Sequence, residues 1–326
     1  MKSLTEVSLF PWLRDRTLSQ CMIHDVSFTR HEEAHFPTGA FRYRFIYQTT
    51  NDERLLAQYL IGIKQDISIT VIERQSQYYC IEIALKIPLS DKVLNTLFFD
   101  STIELFSLPS NLPLLNKAGV LVMDMDSTAI EIECIDELAN MAGVGKAVSE
   151  VTERAMQGEL DFEESLRARV AQLKGAQAGI IDVLCQDLPL MPGLVDMVEE
   201  LKSHGWYLVL ASGGFTAFVE HLKDKLDLDA AFANQLVIEN KQLTGEVQGQ
   251  VVDAQFKADI LKACAKRWSI DAGQRLAIGD GANDIPMIRA ADFGIAFHGK
   301  AKLTQEADVA IHKMDLKALP FLLLLA

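Results

Sequence analysis

An apolar run, Gly119-Val120-Leu121-Val122-Met123, stops abruptly at Asp124-Met125-Asp126-Ser127-Thr128. A short run with no polar alternation suits a strand buried on both faces, the kind found in parallel sheets covered by helices. The same grammar returns twice. Tyr207-Leu208-Val209-Leu210-Ala211 is followed by Ser212-Gly213-Gly214, and Arg275-Leu276-Ala277-Ile278 by Gly279-Asp280-Gly281-Ala282-Asn283-Asp284. Helical stretches stand between these runs, one at Leu194–Leu201 behind Pro192-Gly193 and one at Ala254–Trp268. Proline near the first turn favours a helix start. Strands alternating with helices predict an α/β fold built on a parallel sheet.

Ligands of open α/β sheets collect outside the carboxyl ends of the strands, so the residues behind each run form the candidate site. Successive strand residues point to opposite faces, and a loop opening at Asp124 turns Asp124 and Asp126 toward one point. Two crowded carboxylates suit a divalent cation, which takes hard oxygen ligands. They also suit a reaction that needs a nucleophile beside an acid. Asp280 adds a carboxylate, Ser212 a hydroxyl, Gly213 and the 124–128 loop amides that favour an anion, and Lys257 a point cation. That set fits phosphoryl transfer, where positioning and charge stabilisation do most of the work. Taken singly, the pieces read more plainly: Asp-x-Asp as a solvated loop, the glycine clusters as turns, Lys257 as a surface cation. Their joint recurrence behind apolar runs outweighs those readings.

Between 134 and about 188 the chain reads as helices without strands, a cap inserted after the first core strand. Its third helix carries Phe162, Leu166, Val170 and Leu173 on one stripe. Residues 1–110 read as a separate domain and 111–326 as the main one, divided by the punctuated stretch Ser107–Pro113. Residues 1 to about 40 are hard to read and partly irregular. Beyond them alternating segments at Phe41–Tyr47, Ile67–Val71, Cys80–Leu85 and Ile103–Phe106 enclose a helix capped at Asn51 and a short one starting at Ser90. The order β-α-β-β-α-β is that of a ferredoxin-like α+β unit. It holds no catalytic constellation.

A formal net charge of −14 argues against a nucleic-acid partner, which calls for a basic patch. Five scattered cysteines without a Cys-x-x-Cys pair suit a reducing compartment, and cytoplasmic is the expected location. The N-terminus lacks the apolar stretch of a secretory signal. Leu319-Pro320-Phe321-Leu322-Leu323-Leu324-Leu325 is far shorter than the ~20 residues a membrane span needs; it reads as a terminal helix docked on the core, and no membrane partner is expected.

In their order, Asp124-Met125-Asp126-Ser127-Thr128, Ser212, Lys257 and Gly279-Asp280-Gly281-Ala282-Asn283-Asp284 resemble the four motifs of the haloacid-dehalogenase superfamily. Further markers resemble its phosphoserine-hydrolysing branch: Glu133, Ala155-Met156-Gln157-Gly158, Phe162 through Val170, Ser212-Gly213-Gly214-Phe215 and Phe232-Ala233-Asn234. The likeness spans about residues 117–313. It implies a Rossmann-like parallel sheet with an inserted helical cap, preceded by an ACT-like domain. It implies Mg²⁺ held by Asp124, the Asp126 carbonyl and Asp280, with Asp124 as nucleophile and Asp126 as general acid and base. Ser212, Gly213, Lys257 and Asn283 would hold the phosphoryl group, and Asp284 would orient the metal ligands or Lys257. Glu133 would meet the ammonium of O-phosphoserine and Arg169 its carboxylate, under an apolar lid of Met156 and Phe162. The resemblance places the reaction last in serine biosynthesis and admits a homodimer. Two other readings stand beside it: an enzyme for another small phosphate ester or one passing phosphoryl to an alcohol, and a catalytically silent amino-acid sensor.

Overall fold

The computed structural model describes the chain except for residues 1–8, 16, 18–19, 24–25, 31–39, 75–76, 91–100, 158 and 326; the side chains of residues 20–30 and of Met156 lie outside the description too. The expected helix beginning at Ser90 falls on residues 91–100, outside the described part.

The first third carries strands β1 (Gln20–Ile23), β2 (Val26–Arg30), β3 (Phe41–Tyr47), β4 (Ile67–Ile72), β5 (Tyr79–Leu85) and β6 (Glu104–Leu108) in one sheet, ordered β1-β2-β4-β5-β3-β6. The four strands β4-β5-β3-β6 are mutually antiparallel, and helix Thr50–Gly62 links β3 to β4. That helix is capped by Thr49 with Asp52, two residues ahead of the expected Asn51. The hairpin of β1 and β2, with helix Leu9–Arg14 before it, lies in the stretch expected to be partly irregular.

The second sheet holds β7 (Val120–Met123), β8 (Tyr207–Phe215), β9 (Ala230–Glu239), β10 (Gln242–Gln248), β11 (Arg275–Gly279), β12 (Phe293–Phe297) and β13 (Val309–Ile311), ordered β10-β9-β8-β7-β11-β12-β13. All pairings are parallel except the β9–β10 hairpin at one edge. The α/β class with a parallel sheet is therefore observed, with one antiparallel edge strand added. Both faces of β7 are buried as its composition requires. Leu121 and Met123 join a core with Leu208, Leu210, Leu276 and Ile278, while Val120 and Val122 join another with Val209, Ala211 and Ala277.

β7 is central, with β8 on one side and β11 on the other. The strand order reverses there, and a crevice opens at such a switch point. Four helices, Cys134–Met141, Gly145–Met156, Phe162–Gln172 and Gly179–Gln186, are inserted between β7 and helix Leu194–Ser203. Two antiparallel chain segments cross at their base: Glu131 N–H donates to Pro189 O (3.0 Å) and Met191 N–H to Ala129 O (2.9 Å).

The C-terminal segment Leu316–Leu322 is buried as expected but forms a 3-10 helix, not an α-helix. Pro320 inside it has no N–H to continue a regular ladder. Charged side chains of the first sheet hold this tail. Arg44, 1% exposed, donates from Nε to Glu82 (2.6 Å) and from Nη1 to the carbonyls of Phe321 and Leu323 (2.9 Å to Leu323). The Glu104 carboxylate accepts the N–H groups of His312, Lys313 (3.2 Å) and Met314 (2.9 Å). Among the described residues no helix is long and apolar enough to cross a membrane.

Candidate active site

Three strand ends meet at the crevice. Asp124 follows β7, Ser212-Gly213-Gly214 lies in the last part of β8, and Asp280 follows β11. Asp253 caps helix Ala254–Arg267 by accepting the Phe256 N–H (2.7 Å), and that helix start brings in Lys257. Ser127 just past β7 holds a left-handed φ of 56°, a conformation that non-glycine residues adopt at a cost and that clusters at functional loops.

Lys257 is the hub. Its ammonium lies 2.8 Å from Asp124 Oδ1 and 2.8 Å from Asp284 Oδ1, and all three side chains are almost wholly buried. Burial alone would pull the lysine pKa down; the two carboxylates outweigh it and raise the pKa, so the ammonium stays charged. The Met125 N–H donates to the same Asp124 oxygen (2.7 Å), and the Asn283 amide approaches Oδ2 at 3.5 Å. Burial, then the nearby Asp284 charge, raises the Asp124 pKa well above the usual carboxylate range, against the pull of Lys257. Asp284 commits its second oxygen to the Gly281 N–H at 3.1 Å.

Asp126 sits beside this cluster and accepts the Cys134 N–H (3.1 Å) at the start of the first cap helix. Burial and the neighbouring Glu133 charge push its pKa up to about 7. A carboxyl titrating there can give and take a proton near neutrality. A cavity of about 230 Å³ opens above, lined by Asp124, Asp126, Glu133, Phe162, Arg169, Gly213, Asp280 and Asn283 among others. Ser212, Lys257 and Asp284 lie beneath this lining. The Met156 side chain lies outside the described residues. Glu133 accepts the Ser127 hydroxyl at 2.9 Å. Arg169 leans back on its own helix, with Nε 3.4 Å from Ser165 O, and burial lowers its pKa.

Two glycines of the β8 loop stand in tight contact with the site. A Cβ on Gly213 would come within 2.9 Å of the Phe162 ring, and one on Gly214 within 3.1 Å of Asp126 Oδ2. Phe162 opens its helix behind Asp161, whose side chain accepts the Glu164 N–H (2.8 Å) while Glu164 reaches back to Asp161 N–H (3.0 Å). A capping box of this kind contributes about 1 kcal/mol and fixes where the ring stands over the β8 loop.

Carboxylate oxygens of Asp124, Asp280 and Asp284 lie within 4.8 Å of one another. Asp284 spends its oxygens on Lys257 at 2.8 Å and the Gly281 N–H at 3.1 Å, whereas Asp124 Oδ2 meets the Asn283 amide only at 3.5 Å, so Asp124 and Asp280 are the better placed donors. Burial first, and then the Asp284 charge, push Asp280 up to about 6. An all-oxygen donor set fits a hard divalent ion such as Mg²⁺.

The lining also includes Lys300 and Ile135, which the sequence did not single out, and Leu166 and Phe215, which it offered only as a cap-stripe residue and a family marker. The signal for Lys300 was available: β12 is another buried apolar run, and His298-Gly299-Lys300 follows it as charged or small residues follow β7, β8 and β11. Its backbone N–H donates to Asp280 O at 3.0 Å.

Comparison with known proteins gives a consistent set of relatives. A family model described as haloacid dehalogenase-like hydrolase matches residues 119–292, more than half of the chain. The phosphoserine phosphatase of Haemophilus influenzae is 53% identical over 211 residues, which are 65% of this chain and 67% of that protein. That of Vibrio cholerae is 52% identical over 201 residues, 62% of this chain and 61% of the relative. Among solved structures, a probable phosphoserine phosphatase from Vibrio cholerae superposes with a TM-score of 0.74 at 40% identity, covering 86% of each chain. A substrate-bound phosphoserine phosphatase complex matches at TM-score 0.59 and 39% identity, covering 63% of this chain and 98% of that one.

Proposed function

Since the chain belongs to the haloacid dehalogenase-like hydrolase family, we propose that it hydrolyses O-phospho-L-serine to L-serine and inorganic phosphate. That makes it the last enzyme of serine biosynthesis, acting on a small molecule in the cytoplasm. The observation that carries this reading is the buried Asp124–Lys257–Asp284 cluster under a cavity faced by Asp126.

In the first half-reaction an Asp124 carboxylate oxygen attacks phosphorus and the bond to the serine oxygen breaks. Asp126, protonated below about pH 7, gives its proton to the departing oxygen. In the second, Asp126 takes a proton from water as that water attacks phosphorus, and the Asp124–phosphorus bond breaks to release phosphate. Lys257, the Ser212 hydroxyl and the Gly213 amide balance the phosphoryl charge, with Asn283 beside Asp124. Asp284 holds Lys257 in line. Asp124, Asp280 and the Asp126 carbonyl would hold Mg²⁺, which supplies positive charge to the phosphoryl oxygens when bound.

On the cap side, Glu133 meets the substrate ammonium and Arg169 its carboxylate through a two-pronged face. Phe162 closes the mouth and keeps out water. The division at about residue 110 between an ACT-like domain and the phosphatase domain is part of the same proposal, supported by the separate sheets.

The test is phosphate release from phosphoserine, phosphothreonine and several sugar phosphates, with and without EDTA and added alcohols. Phosphoserine should be turned over fastest, EDTA should silence the reaction and Mg²⁺ restore it. Preference for a sugar phosphate, full metal-free activity or transfer to alcohol in place of water would overturn the reading.

A further inference from the structure

One buried amide joins two parts of the site that the sequence keeps far apart. In the β8–β9 pairing, Ala211 faces Phe232 and Phe215 faces Asn234, so β8 passes through four residues while β9 passes through two. The extra residues bulge out as the Ser212-Gly213-Gly214 loop, and a bulge leaves backbone groups without ladder partners. Asn234, 1% exposed, fills that gap: its Nδ2 donates to Gly213 O at 2.8 Å. Its Oδ1 accepts the Val252 N–H at 2.7 Å, next to Asp253, which caps the helix bearing Lys257. Both ends of one carboxamide are thus spent, one on the loop that lines the cavity and one on the segment that aims the ammonium. The Thr216 hydroxyl donates to the Asn234 carbonyl (3.0 Å) and holds the backbone from which the amide projects.

We propose that Asn234 is a positioning residue that sets the spacing between the Ser212–Gly214 loop and the Lys257 helix, so that turnover depends on it through the phosphoryl group. This rests on the phosphatase reading above. An apolar side chain would leave Gly213 O and Val252 N–H buried without partners, and the loop would relax away from the place where charge develops. The hydrogen bonds removed lie at Gly213 and Val252, not at Glu133 or Arg169.

The experiment compares wild type with Asn234→Ala and Asn234→Ser, the second leaving a hydroxyl to satisfy one end. Steady-state kinetics are measured on phosphoserine and on p-nitrophenyl phosphate, with orthovanadate as inhibitor and thermal midpoints alongside. The expected result is a kcat lowered about 10- to 100-fold by the same factor on both esters, KM within about threefold, and orthovanadate inhibition weakened in step with kcat. Asn234→Ser should lie between wild type and Asn234→Ala. A folded Asn234→Ala with wild-type kcat overturns the role, as does a loss confined to phosphoserine. Failure of both variants to fold assigns Asn234 to the scaffold and overturns it too. Wild-type protein that releases no phosphate from either ester overturns the phosphatase reading itself, a result distinct from an unaffected variant.

Discussion

The floor and the roof of the cavity are built on opposite terms. In the floor, Lys257 is bound at 2.8 Å to both Asp124 and Asp284, and none of the three is more than 4% exposed. In the roof, Phe162 is 36% exposed and Arg169 leans at 3.4 Å on a carbonyl of its own helix. The floor is a charge network fixed before any substrate arrives, as transition-state stabilisation requires. In the roof Glu133 accepts a hydroxyl and Arg169 leans on a backbone carbonyl, neutral partners that a charged ligand can displace, and the aromatic ring stands near solvent. On the proposed function, chemistry common to all phosphate esters belongs below, and choice among them above.

The sharpest way to break that contrast is at Asp124. Asp124→Asn should lower turnover of every phosphate ester by about 10⁴-fold or more and leave no acid-labile phosphoenzyme in a quench experiment. Retained turnover on any ester would mean that the nucleophile is elsewhere. Next comes Lys257→Met, which leaves two carboxylates buried without their cation. It should cost about 3–5 kcal/mol in chemical denaturation, along with activity on all esters. A variant as stable as wild type would show the floor to be less tightly coupled than its distances indicate.

Above the cavity the effect should be selective. Arg169→Ala should reduce kcat/KM for phosphoserine about 10- to 100-fold more than for p-nitrophenyl phosphate, the worth of a lost charged hydrogen-bond pair. Equal losses would move Arg169 out of substrate reading. The smallest effect concerns pH. Asp124, Asp126 (about 7) and Asp280 (about 6) are all raised by folding, burial first. A carboxyl with a raised folded-state pKa favours the native state while protonated, and that support fades as pH rises from the unfolded value near about 4 toward 7. A bound cation replaces the missing protons. Added Mg²⁺ should therefore raise the thermal midpoint by about a few degrees more at pH 8 than at pH 5. An equal gain at both pH values would separate the metal from these carboxylates.

The floor was legible because each of its residues follows an apolar run or opens a helix, and a strand buried on both faces has few alternative readings. The roof was not. Without family likeness, Arg169 and Phe162 look like ordinary cap residues, because helical periodicity says which face is buried and nothing about what sits across a gap. The β9–β10 hairpin escaped notice because its residues are only partly buried and break the simple alternation. Asn234 stood out as a family marker and not as a bridge, since its two partners are backbone groups in distant segments. The 3-10 tail was hidden for a related reason: its shape depends on what it packs against.

The grip of Arg44 and Glu104 on the tail bears on how the protein can be cut. Together they satisfy two carbonyls and three N–H groups of residues 312–323. A version cut ahead of the second sheet would leave those backbone groups to water or to other side chains. The leading third of the chain is in this way part of the enzyme's own foundation, and a truncated version would inherit five unanswered polar atoms along with its active site.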